Sequence, residues 1–172
     1  MMETNKTKVT FQGKPVTLVG REIRVGDHGP DFKALDNSLT PKTLDDFEGK
    51  VKILSVYPSI DTGVCSKQSH RFNKEADALS NDIVIINISN DLPFALGRFC
   101  GAEGITNLVT LSDHKDTDFG KKYGFLIDEL RLLSRGVVVL DKENKVQYVE
   151  YVSEIGDEPD YDKAIEAAKK LV

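Results

Sequence analysis

The run Val51-Lys52-Ile53-Leu54-Ser55-Val56-Tyr57, followed by Pro58-Ser59-Ile60-Asp61-Thr62-Gly63-Val64-Cys65, decides how the rest of the chain is read. The first part is apolar and strand-like, and Pro58 and Gly63 mark a turn after it. A helical pattern then runs from about Ser66 to Leu79. Cys65 therefore falls at or near a helix N-terminus, just past the end of a buried strand, with Thr62 three residues before it. Free N–H groups and the positive end of the helix dipole favour an anion there. The thiolate is the nucleophilic form of cysteine, so the position reads as a reactive thiol.

Outward from this stretch, strand and helix alternate. Strands are expected at 51–57, 83–89, 108–111, 135–140 and 146–152, and helices at 66–79, 93–100, 116–122 and 160–171. The runs at 51–57, 83–89 and 136–140 are nearly continuous in apolar residues, as in central strands covered on both faces. In the last helix Ala164, Ile165, Ala168 and Leu171 recur at helical spacing. Lys142-Glu143-Asn144-Lys145 joins the last two strands as a hairpin, so the sheet is mixed. Upstream, Val9-Thr10-Phe11 and Val16-Thr17-Leu18-Val19 flank Gln12-Gly13-Lys14-Pro15, an N-terminal β-hairpin. The expected architecture is α/β, with helices on both faces of a mixed central sheet.

The chain has 172 residues, which suits one domain over 1–172. Its net charge of −5 argues against a nucleic-acid partner, which calls for a basic face. No apolar run approaches the roughly 20 residues of a membrane span, and the start lacks the apolar segment of a secretory signal. A cytoplasmic location is expected. Only two cysteines occur, Cys65 and Cys100, and the histidines His28, His70 and His114 show no ligand spacing. In a reducing compartment the plain reading of two cysteines is two inert thiols.

The order of strand, tight loop, cysteine, helix, further βα units and closing hairpin looks like a thioredoxin-type fold. A thioredoxin carries Cys-x-x-Cys where this chain has Thr62-Gly63-Val64-Cys65. Pro58-x-x-x-Thr62-x-x-Cys65 matches the peroxiredoxin active-site motif instead. Ser59-Ile60-Asp61-Thr62-x-Val64-Cys65, with Arg71-Phe72-Asn73 downstream, resembles the thiol peroxidase subfamily. So do Val9 to Gly13, the run from Val25 to Phe32, and Ser134 to Asp141. Gly63 stands where many members have proline, and Gly29 where alanine is common.

The resemblance implies that Cys65 is the peroxidatic cysteine, Thr62 its hydroxyl partner, Pro58 a shield and Arg135 the cationic partner. It implies Cys100 as the resolving cysteine of an intrachain disulfide, as in atypical two-cysteine peroxiredoxins. The substrate would be a hydroperoxide and the reductant thioredoxin. The protein would be a homodimer, with no metal, haem or flavin.

Plainer readings stand beside these. Thr62 caps the helix, Pro58 ends the strand and Cys100 is a buried free thiol. Spacing does not choose Arg135 over Arg131. His70 lies five residues past Cys65, roughly 140° around a helix, and is read as a surface residue like His28 and His114. Asp61 and Glu75 are read as solvent-facing. A non-enzymatic redox sensor and a thiol-disulfide oxidoreductase are the competing functions, the latter disfavoured by the missing second cysteine.

Overall fold

The computed structural model describes residues 3–172. Strands β1 (Thr4–Phe11) and β2 (Lys14–Val19) pair antiparallel as the N-terminal hairpin. The turn is Gln12-Gly13, both with positive φ (52° and 77°), the geometry whose twist matches that of the flanking strands. Two short strands follow, β3 (Ala34–Leu35) and β4 (Pro41–Lys42), then a 3₁₀ turn at Leu44–Phe47. The chain continues through β5 (Val51–Val56), α1 (Gly63–Ala76), β6 (Ile83–Ser89), α2 (Pro93–Glu103) and β7 (Val109–Ser112). It closes with α3 (Asp118–Tyr123), β8 (Leu126–Ile127), β9 (Gly136–Leu140), β10 (Val146–Tyr151) and α4 (Tyr161–Lys169).

The main sheet has seven strands in the order β10-β9-β5-β6-β7-β3-β4. Strands β5, β6 and β7 run parallel, and β9 runs antiparallel to β5, so the sheet is mixed as expected. The hairpin does not join it. It forms a separate sheet, β1-β2-β8, in which β8 pairs with β2 at Leu18 and Val19.

Every residue of β5 is buried, as a strand covered on both faces must be. On one face Val51, Ile53, Val137 and Val139 meet Phe72 of α1 and Tyr161, Ala164, Ile165 and Ala168 of α4. On the other, Leu54, Val56, Ile86 and Ile88 meet Phe32, Phe119, Tyr123 and Phe125. Burying Phe72 alone stabilises the fold by about 2 kcal/mol. Towards the C-terminal ends of β5 and β6 the face under α1 turns polar. There Ser55 accepts from Gln68 Nε2 at 2.8 Å, and Asn87 Nδ2 donates to Ser69 Oγ at 3.0 Å. No helix among the described residues is long and apolar enough to cross a membrane.

Candidate active site

α1 begins at Gly63, not Ser66, because Thr62 caps it in an extended conformation (φ −99°, ψ 149°) and accepts the Cys65 N–H at 3.3 Å. Cys65 is thus the third residue of the helix, inside its first turn of unpaired N–H groups, and it is fully buried. The capping hydroxyl also lies 2.7 Å from Cys65 Sγ and 3.1 Å from the Ser59 carbonyl oxygen. One hydroxyl hydrogen serves one of these two acceptors at a time. Capping and contact with the thiol are therefore both properties of Thr62.

Arg135 is 70 residues away in sequence, yet its Nη2 donates to Cys65 Sγ at 3.2 Å. Sheet register accounts for this: Gly136, the first residue of β9, pairs with Val56, the last of β5. The residue before β9 therefore stands beside the residues that follow β5. The guanidinium is 2% exposed; Nε donates to the Ile155 carbonyl at 2.7 Å and Nη1 to Gln68 Oε1 at 2.8 Å. None of its hydrogen-bond partners is a carboxylate, so a Cys65 thiolate would be the only anion among them. A buried guanidinium cannot shed its charge, which makes an anionic partner favourable. Arg131, its rival in the sequence, is 60% exposed and pairs with Asp128 at 3.5 Å.

Pro58 is buried in the turn leaving β5. His70 is 46% exposed and pairs with Glu103 at 3.6 Å. Asp61 is exposed, whereas Glu75 is partly covered and pairs with Arg71 at 2.9 Å. Cys100 sits half-buried on α2, and both cysteines are free thiols. Burial pushes the Cys100 thiol above the ordinary cysteine range, and the nearby Thr110 opposes the shift. Between the helices lies an apolar cluster of Tyr57, Ile60, Cys65 and Leu96, with Phe99 against it. Burial raises the Tyr57 hydroxyl above the ordinary tyrosine range; a nearby Ser69 opposes this, and Asp91, Cys65 and Cys100 add to it. The hydroxyl has no hydrogen-bond partner among the described residues.

Sequence reading missed Gln68 and Asp91. Gln68 is fully buried one helical turn after Cys65 and links β5 to Arg135. Its i+3 spacing from the thiol was the available signal. Asp91 holds the turn before Cys65 through Ser59 and Ile60.

A redoxin family model matches residues 24–165. The chain belongs to the redoxin family. This redoxin is 58% identical over 165 residues to a thiol peroxidase of Bacillus subtilis strain 168, covering 96% of this chain and 98% of that one. It is 55% identical over 162 residues to a thiol peroxidase of Streptococcus sanguinis, covering 94% and 99%. Among solved structures it resembles a peroxiredoxin-like protein from Aquifex aeolicus, with a TM-score of 0.90, 36% identity and 99% of each chain covered. A thiol peroxidase from Chromobacterium violaceum shares the fold, with a TM-score of 0.86 at 24% identity over 96% of this chain and 97% of that one. The redoxin is thus an oxidoreductase of the peroxiredoxin type, with the thioredoxin-like fold. At its Gly29 a Cβ would crowd the Asn144 carbonyl oxygen and Leu140 Cδ2 at 2.9 Å, so an alanine there would require these neighbours to shift.

Proposed function

We propose that this redoxin acts as a thiol peroxidase that reduces hydrogen peroxide and organic hydroperoxides at Cys65 and resets itself through Cys100. The observation that carries the reading is the buried Cys65 sulfur with a hydroxyl at 2.7 Å and a guanidinium at 3.2 Å. The Cys65 thiolate attacks one peroxide oxygen. An S–O bond forms, the O–O bond breaks, and the departing oxygen takes a proton to leave as water or an alcohol. Arg135 stabilises the charge that develops on the oxygens, and the Thr62 hydroxyl orients the thiolate or the peroxide. Pro58 closes the turn over the sulfur and keeps water from it.

Cys65 is then a sulfenic acid, which condenses with a thiol. Cys100 attacks it, an S–S bond forms and water leaves. Two thiols and one hydroperoxide have become a disulfide, water and one alcohol or water. The thiols lie on separate helices, whereas a disulfide needs Cα atoms within roughly 7 Å. We therefore include a local unwinding of the first turn of α1 and of the segment around Cys100 in each cycle. Following the family resemblance, reduced thioredoxin restores both thiols by becoming a disulfide itself, and the protein works as a cytoplasmic homodimer.

Rapid-mixing kinetics with hydrogen peroxide, with and without thioredoxin, test this reading. Cys65 should oxidise orders of magnitude faster than a free cysteine, and Cys65→Ser should abolish turnover. Cys100→Ser should keep the first oxidation and lose the disulfide. Slow, stoichiometric oxidation of the parent would favour a redox sensor instead.

A further inference from the structure

The turn that aims Thr62 at the sulfur is not held by its own residues alone. Ser59 and Ile60 are fastened to Asp91, about thirty residues on and just before α2. Ser59 Oγ donates to Asp91 Oδ1 at 2.9 Å, and the Ile60 N–H donates to Oδ2 at 2.8 Å. Ser89 Oγ donates to the same Oδ2 at 2.7 Å. The main chain of Asp91 is tied as well, since its carbonyl accepts from Ser112 Oγ on β7. Bonds to a carboxylate are the strong class of hydrogen bond.

The bonds continue to the site. The carbonyl of Ser59 accepts the Thr62 N–H at 3.1 Å, and Ser59 Oγ accepts the Asp61 N–H at 3.2 Å. Displacing Ser59 therefore displaces the hydroxyl that lies 2.7 Å from Cys65 Sγ. Ile60 also packs with Leu96 of α2 in the apolar cluster, a contact that a change at Asp91 leaves in place, and the other polar tie between these segments is the Asp61–Arg98 ion pair at 3.8 Å, whose members are 69% and 73% exposed. Such a pair contributes little. Asp91 is the strong polar tie between the two segments.

We propose that Asp91 is a positioning residue of the peroxidase site. Through Ser59 it holds Thr62 in register with Cys65, and it joins that turn to the root of the helix that carries Cys100. The proposal rests on Cys65 being the reacting thiol. Two consequences differ in sign. Releasing the turn misplaces Thr62 and slows attack on peroxide. It also removes one restraint on the unwinding that brings the two thiols together, so disulfide formation speeds up. A residue that only supported the fold would slow attack equally whether or not the Thr62 hydroxyl is present.

Single-turnover oxidation by hydrogen peroxide, read by thiol alkylation and mass spectrometry, tests the proposal together with amide exchange at 60–62. Asp91→Ala should slow Cys65 oxidation roughly ten- to hundredfold, the range for a misplaced catalytic group, and speed the disulfide step. The amides of Ile60, Asp61 and Thr62 should lose protection. In a Thr62→Val background the same change should cost less than about twofold, because the effect passes through Thr62. Asp91→Asn should recover most of the rate. Its oxygen can keep Ile60 and Ser89 while its amide donates to Ser59 Oγ. Equal losses in both backgrounds, or protected amides in Asp91→Ala, would overturn the role of Asp91. A parent whose Cys65 oxidises no faster than a free cysteine overturns the peroxidase reading, and the role with it. A fast parent with an unaffected Asp91→Ala overturns the role alone.

Discussion

Arg135 spends all of its hydrogen-bond contacts on neutral groups and on one sulfur. That arrangement explains why arginine and not lysine suits the position. A planar fork reaches Ile155, Gln68 and Cys65 at once, whereas an ammonium offers a point charge on a flexible stem. Arg135→Met should slow oxidation of Cys65 by about 10²- to 10³-fold, the usual loss when one preorganised donor is removed. Arg135→Lys should fall between that variant and the parent. Rates within twofold of the parent for Arg135→Met, in the same single-turnover assay, would remove the guanidinium from the mechanism. Cys100 shows the opposite environment. Burial pushes its thiol above the ordinary cysteine range.

The first turn of α1 carries Cys65 and begins at Gly63. A Cβ built there meets nothing within 4 Å. Proline is favoured at the first helical position, and Thr62, with φ −99° and ψ 149°, already has the conformation a following proline requires. Gly63→Pro should therefore raise the unfolding free energy by about 0.4–1 kcal/mol, chiefly by restricting the unfolded chain. It should also slow Cys65–Cys100 disulfide formation, since that turn must open. Denaturant titration and single-turnover kinetics check the two effects; lower stability, or a disulfide formed at the parent rate, would contradict this account. At this scale the sequence was informative where periodicity was long. Strands β5, β6 and β9 and helix α4 lie close to where their apolar spacing puts them. The start of α1 was placed late because glycine and valine read as loop, while the cap that pulls them into the helix is a hydrogen bond. The two-residue strands β3, β4 and β8 are too short to carry a period.

The molecule as a whole is pinned across its main sheet by Asp113, which follows β7. Its carboxylate accepts the N–H groups of Phe119 and Gly120 at 2.9 and 2.8 Å, so it ties the sheet to α3. Burial outweighs those two bonds and pushes the carboxyl up to about 7. The unfolded chain releases this proton near 4. Between those values the folded state holds the extra proton, so this contribution to stability is full below about 4 and is lost as pH rises through about 7. Glu129, lowered by the Thr17 backbone N–H, acts in the opposite sense at more acid pH. Urea unfolding at several pH values should show Asp113→Asn flattening the decline between pH 5 and 7.5; an unchanged slope would clear Asp113. By itself the sequence determined that a cysteine follows a buried strand at a capped helix start, because strand period, turn residues and capping act over a few neighbouring positions. Only the tertiary structure decided what surrounds the sulfur. Arg135 arrives because β9 starts beside the end of β5, Gln68 because α1 lies over Ser55, and Asp91 because the end of β6 abuts the turn. Strand order and register set those contacts, and neither is written in the spacing of residues along the chain.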